Sequence, residues 1–297
     1  MNVQMAYLIG MITGNGEVRR GNSITTISVS IPHKNQRTFN DRDVRIYVKA
    51  SLADIRAILE PLVGASLQHT QSDSETMIYF EKPNEDYLIR EINRLLTGFV
   101  SHENMRINDY FFNTNRNEII SFLRGFADVT GYIRESNYAF TKPFHRVYLE
   151  IPHNWFLVVD ICNLLKKIDI PVHTIDWAHP NMRDGNLVKY RQGFHNFWKK
   201  EHQIKIYANE FIPIGFGIIH KEQALDAFSS ELVSHFTSKN KDPKKTTHRF
   251  YWDSTRKSTK ESKPIHPGEN DSFIPDQIRG KHFDSWKEIA FDLGYKQ

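Results

Sequence analysis

One pattern occurs twice in the 297-residue chain and limits what it can become. Residues 3–18 run Val-Gln-Met-Ala-Tyr-Leu-Ile-Gly-Met-Ile-Thr-Gly-Asn-Gly-Glu-Val, and residues 119–133 run Ile-Ile-Ser-Phe-Leu-Arg-Gly-Phe-Ala-Asp-Val-Thr-Gly-Tyr-Ile. Each reads as a short apolar helix with a glycine in its middle, Gly10 or Gly125. Each ends at another glycine, Gly16 or Gly131, and passes at once into an extended segment. A glycine inside a helix costs about 1 kcal/mol relative to alanine, so two at matching offsets call for a packing reason. Close approach of one such helix to the other is the expected reason.

The segments between the copies repeat as well. After the first helix, alternation at Ile27, Val29 and Ile31 predicts a strand within 18–31, with Gly21-Asn22 as a turn. A second strand is expected at 44–48, where Val44, Ile46 and Val48 point one way. Ser51 then reads as the N-cap of a helix from Leu52 whose length Pro61 limits. A hairpin over roughly 66–71 and 76–81 and a helix from about 85 to 96 complete an α-β-β-α-β-β-α half. Residues 97–115 read as a crossover. In the second half the motif helix 117–128 leads to strands at 132–135 and 146–151, a helix at 154–167, and strands near 172–175 and 203–208. A polar insert, 178–200, separates the last two strands, and a helix over 221–236 closes the half. Arg45-Ile-Tyr-Val-Lys matches Arg146-Val-Tyr-Leu-Glu, whereas Ile31-Pro-His and Ile151-Pro-His read as coincidence.

This order predicts an α+β fold of two pseudo-symmetric αββαββα halves, two antiparallel sheets forming a saddle beneath their helices. The expected division is 1–100 for the first half, 101–116 for a linker, 117–236 for the second half and 237–297 for a basic extension. That extension crowds Lys239, Lys241, Lys244, Lys245 and Arg249 around Phe250-Tyr251-Trp252, and a short terminal helix begins near Ser285. It reads either as a solvated linker or as an arm along phosphates.

Strand alternation assigns the faces. If Val44, Ile46, Val48, Val147, Leu149, Ile204 and Ile206 turn to the helices, then Arg45, Tyr47, Lys49, Arg146, Tyr148, Lys205 and Tyr207 share the opposite face, extended by Arg19, Arg20, Arg134 and Lys142. A basic, aromatic sheet face is either a solvated surface or a duplex reader. The net charge of +4 leans mildly towards a polyanion.

Composition excludes several classes. No apolar run is long enough to span a bilayer and the start lacks a secretory pattern, so an intracellular protein, cytoplasmic or organellar, is expected with no membrane partner. The single cysteine, Cys162, sits in an apolar stretch and reads as a small buried hydrophobe. The 14 histidines show no zinc-enzyme spacing. Gly14-Asn15-Gly16 is no phosphate loop, since no Gly-Lys-Ser/Thr follows.

Leu8-Ile9-Gly10-Met11-Ile12-Thr13-Gly14-Asn15-Gly16 and Leu123-Arg124-Gly125-Phe126-Ala127-Asp128-Val129-Thr130-Gly131 resemble the two motifs of single-chain LAGLIDADG homing endonucleases, and the resemblance covers most of 1–236. It implies paired motif helices at a pseudo-twofold axis, a monomer, duplex DNA as partner, and an acid before each final glycine that holds divalent metal. Those positions here are Asn15 and Thr130, and neither is acidic. Only carboxylates balance the charge of Mg²⁺ between attacking and leaving oxygens, so cleavage is expected to be lost or strongly reduced. In that case no cofactor is needed. Three alternatives stay open: an active, Mg²⁺-dependent endonuclease with Glu17 and Asp128 as displaced acids, an intron-RNA maturase binding structured RNA, and a protein-binding remnant.

Overall fold

The computed structural model describes residues 2–33, 43–97, 105–135, 145–152, 154–170, 172, 174–179, 201–236 and 247–250. The fold is mixed α+β. The first half runs α1 (Val3–Asn15), β1 (Gly16–Arg20), β2 (Ile24–Pro32), α2 (Val44–Val63), β3 (Gln68–Gln71), β4 (Glu75–Pro83) and α3 (Tyr87–Leu95). After α4 (Asp109–Asn113), inside the segment expected as a crossover, come α5 (Arg116–Thr130), β5 (Gly131–Glu135), β6 (His145–Pro152), α6 (Trp155–Lys167), β7 (Thr174–His179) and β8 (Glu201–Tyr207). A helical turn, Ala208–Phe211, and a closing helix, Ile219–Phe236, follow, then β9 (Thr247–Phe250). Part of the basic extension is thus a strand. Lys142, most of the polar insert, the remaining extension and its terminal helix lie outside the described residues.

Contacts divide the chain into two units, Met1–Tyr148 with Tyr207–Asn240 and Leu149–Ile206 with Lys241–Gln297. The first contains a four-stranded antiparallel sheet in the order β1-β2-β4-β3. Gly21 closes the β1–β2 turn by donating its N–H to the Ile24 carbonyl at 2.8 Å, as its position in the pattern predicted. The inward residues Val18, Ile27, Val29, Ile31, Ile78 and Phe80 are all buried. Above them α1 is buried on every side from Met5 to Gly14, which is why its sequence is apolar all round rather than striped. In the second unit β7 pairs antiparallel with β8 and parallel with β9. The whole second sheet is ordered β5-β6-β8-β7-β9. Cys162 is buried on α6 among apolar neighbours, and burial pushes its thiol well above the usual range.

The expected strand at 44–48 is instead the first turn of α2. Asp43 caps it, accepting from the Arg45 N–H at 2.9 Å. Alternation of Val44, Ile46 and Val48 competes with a longer helical register in which Val48, Leu52, Ile55, Leu59 and Val63 all face the core, and burial selects the latter. Ile46, expected inward, is 64% exposed. Ser51 is not a cap. Its hydroxyl donates to the Tyr47 carbonyl at 2.8 Å and accepts from the Ile219 N–H at 2.9 Å. Pro61 does not stop α2, which runs on to Gly64 in the left-handed region (φ 65°).

The first half keeps its expected element order because β1 and β2 are two strands where 18–31 read as one region and 44–48 as another. The internal matches change places in consequence. Ile31-Pro32 and Ile151-Pro152 both end the second strand of their half, so that echo is structural. Arg45–Lys49 is helical while Arg146–Glu150 is a strand, so that match is not.

Candidate functional site

The two motif helices pack against each other along their length, within the first unit. A methyl group built on Gly10 would overlap the Phe122 carbonyl of α5, and one on Gly125 would overlap the Tyr7 carbonyl of α1. Each glycine therefore admits the other helix's main chain, the packing reason that the duplicated glycines demanded. The approach continues to the C-terminal ends, where a methyl on Gly14 would come within 3.0 Å of Thr130 Cγ2 and against Val129. Beyond the tips the chain turns sharply: Gly16 donates back to the Ile12 carbonyl and Gly131 to that of Ala127.

Neither position at which the resemblance implied an acid, Asn15 or Thr130, presents a metal ligand set. The Asn15 amide donates to the Ser30 carbonyl at 2.8 Å, which fixes α1 to β2, and the Thr130 hydroxyl donates to the Phe126 carbonyl at 2.7 Å. Glu17 forms an exposed ion pair with Arg19 at 2.8 Å. Asp128 is fully buried and already clamped. It accepts from the Tyr7 hydroxyl at 2.6 Å, from the Gly217 N–H at 2.9 Å and from the Ile218 N–H at 3.2 Å. Lys221, also buried, donates to the Asp128 carbonyl at 2.6 Å, placing a cation on the last carbonyls of α5. A carboxylate at a helix C-terminus calls for specific partners, and these are they.

Burial raises the Asp128 carboxyl to about 6, against the opposing pull of Lys221 and the Tyr7 hydroxyl. Burial likewise lowers Lys221 to about 8, with Asp128 acting the other way. His220, beside Lys221, is brought down to about 3 by desolvation first and by that lysine second. Tyr7 rises well above its usual range through burial and the Asp128 charge. Among the described residues no group of three or more His, Cys, Asp or Glu side chains is placed to hold a metal ion. At the two tip positions themselves, the Asn15 amide and the Thr130 hydroxyl bring no negative charge to balance Mg²⁺.

The α1 tip opens onto the outer face of the first sheet as a groove of about 520 Å³. Asn15 stands at its head, and Glu17, Arg19, Thr26, Ser28, Ser30, Glu75, Met77, Tyr79 and Glu81 line it. Three carboxylates face one arginine there. This corrects the expected basic face: Arg45 and Lys49 are exposed on α2, Tyr47 is half-buried there, and by alternation Arg20 turns from the face that Arg19 occupies. Arg45 is committed to Asp43 and Asp73, both at 2.5 Å.

In the second half the alternation holds but the exposure does not. Val147, Leu149, Ile204 and Ile206 are buried as expected, yet Arg146, Tyr148 and Lys205 on the other face are also no more than 6% exposed. In the first unit the Arg134 guanidinium lies 4.5 Å from the Tyr148 ring centre, Tyr148 stacks on Tyr132, and Arg146 lies 5.2 Å from the Tyr207 ring centre. These side chains are brought together as an interleaved basic–aromatic layer rather than as separate open contacts. The clamp around Asp128 is what sequence reasoning missed: Lys221 is 93 residues away, and only the anomalous acid at a helix end signalled a partner.

Among the described residues no helix is long and apolar enough to cross a membrane. No protein-family model and no curated protein sequence matches the chain. Among solved structures it is similar to variants of the homing endonuclease I-DmoI, at 14% identity over 71% of this chain and 93% of that one, with a TM-score of 0.42. It is also similar to I-DmoI in complex with DNA and Ca, at 14% identity over 71% and 88% of the two chains, TM-score 0.42. A third is the LAGLIDADG homing endonuclease I-GzeII in complex with its DNA target, at 8% identity over 80% and 94%, TM-score 0.36. The solved structures to which this chain is similar are thus homing endonucleases, I-GzeII among them a LAGLIDADG homing endonuclease.

Proposed function

We propose that this protein binds double-stranded DNA sequence-specifically as a single chain, using a degenerate LAGLIDADG scaffold whose halves are residues 1–100 and 117–236, with strand cleavage lost or strongly reduced. The observation that carries this reading is the state of the two helix tips. Gly10 and Gly125 hold the helices in mutual main-chain contact, as the paired-helix scaffold requires, while Asn15 and Thr130, each hydrogen-bonded to a carbonyl of the protein, bring no negative charge to the tips. Loss of one carboxylate–metal interaction costs several kcal/mol, or thousands of fold in rate. The displaced-acid alternative is disfavoured by Asp128, whose oxygens are taken by three donors, and by Glu17, which pairs with Arg19.

The test is a gel-shift selection from random duplexes with the full-length protein, followed by incubation of the selected duplex with Mg²⁺ or Mn²⁺. The expected result is specific binding that weakens as salt rises, with no metal-dependent nicking. Preference for structured RNA over duplex would move the function to a maturase. Nicking abolished by Glu17→Gln with Asp128→Ala would restore the enzyme reading.

A further inference from the structure

The groove at the α1 tip carries acceptors where a duplex reader usually carries donors. Strand register sets its side chains in rows: Arg19 beside Thr26 and Glu81, and Glu17 beside Ser28, Tyr79 and Gln68. The Thr26 hydroxyl donates to Glu81 Oε1 at 3.1 Å and thereby orients that carboxylate on the exposed sheet face. Arg19, the one guanidinium in the groove, is held by Glu17.

In the major groove, guanine offers only the acceptors O6 and N7, which a carboxylate repels. Cytosine offers the N4 amino donor, which a carboxylate accepts, and thymine offers a methyl to apolar neighbours such as Met77 and Tyr79. We propose that the half-site read by the first sheet is specified through base amino groups, with Glu81 selecting cytosine over guanine. The proposal rests on the duplex-binding reading above and adds the identity of a reading residue to it. A carboxylate on that face lowers affinity for any polyanion and adds discrimination between bases.

The experiment is selection from a random duplex library by the full-length wild type and by Glu81→Gln, with affinities for the selected sites measured at one fixed salt concentration. The expected wild-type result is one half-site position where cytosine beats guanine by roughly fivefold or more. In Glu81→Gln that position alone should move to adenine, since a glutamine amide pairs with N6 and N7 together. If Glu81→Gln tightens binding to all sequences alike and leaves every preference unchanged, the carboxylate is only a repulsive charge and the inference is overturned, while duplex binding stands. If the wild type binds no duplex, both fall. A guanidine-denaturation midpoint matching the wild type shows that Glu81→Gln is folded.

Discussion

The ends of α1 and α5 are the same motif held in two ways. At the first, Asn15 reaches across to Ser30 with a single, partly exposed hydrogen bond. At the second, Asp128 and Lys221 are buried and tie α5 to the 217–221 segment through several bonds. Position for position Asp128 corresponds to Thr13, which is buried but uncharged. Yet the helices meet through equivalent glycines. The difference teaches that main-chain packing positions the helix pair, and that polar chemistry at the tips is free to diverge around it.

The comparison is broken most directly at the glycines. Gly10→Ala and Gly125→Ala should each destabilise the fold by at least about 3 kcal/mol, since the new methyl meets backbone and the gain in helix propensity returns only about 1 kcal/mol. Gly14→Ala meets side chains that can shift and should cost less. Denaturant midpoints at constant m-value rank all three, and equal costs would remove the case for main-chain contact.

Next come the tips. Asp128→Ala leaves the buried Lys221 ammonium without its counter-charge and should cost about 3–5 kcal/mol, whereas Asn15→Ala, losing one hydrogen bond, should cost about 1 kcal/mol. Urea unfolding of the two variants decides it.

The pH dependence sharpens the same contrast. Asp128 has a folded value raised to about 6, so the proton-linked part of its contribution is complete below the ordinary carboxylate range and is lost as pH rises through 6. The stability of the wild type relative to Asp128→Asn should therefore fall between about pH 4 and pH 6, as read from urea midpoints. A flat difference would mean that the carboxyl is not held up by burial.

The smallest effect is expected on α2. Lys49→Ala removes an exposed charge from a helix rather than from the sheet face, and duplex affinity should change by less than about threefold at fixed salt. Arg19→Ala, in the groove, should weaken binding more. Equal losses would return Lys49 to the interface.

The sequence made the helix pair legible because a mid-helix glycine is expensive and two at one offset have few explanations. It misplaced Val44–Val48 because five alternating residues fit a strand as well as the start of a helix, and only the longer run through Leu52, Ile55 and Leu59 separates them. That error hid the shared Ile-Pro endings of β2 and β6 and put Arg45, Tyr47 and Lys49 on the wrong surface. The burial of Arg146, Tyr148 and Lys205 was illegible for another reason: alternation reports which side of a sheet a residue takes, not whether that side is covered. The acidic character of the first groove comes from Glu75 and Glu81 on β4, whose neighbours only the register reveals.

Main chain laid against main chain has a consequence for how such a protein can age. At Gly10 and Gly125 no single replacement is compatible with the helix spacing, because there is no side chain on either partner to yield. A few residues on, Asn15 and Thr130 are each tied by one side-chain hydrogen bond to a carbonyl, whose loss costs only about 1 kcal/mol. Substitution is thus open at the tips and closed at the notches, and the polar groups at the helix ends can vary long before the pairing of the helices can.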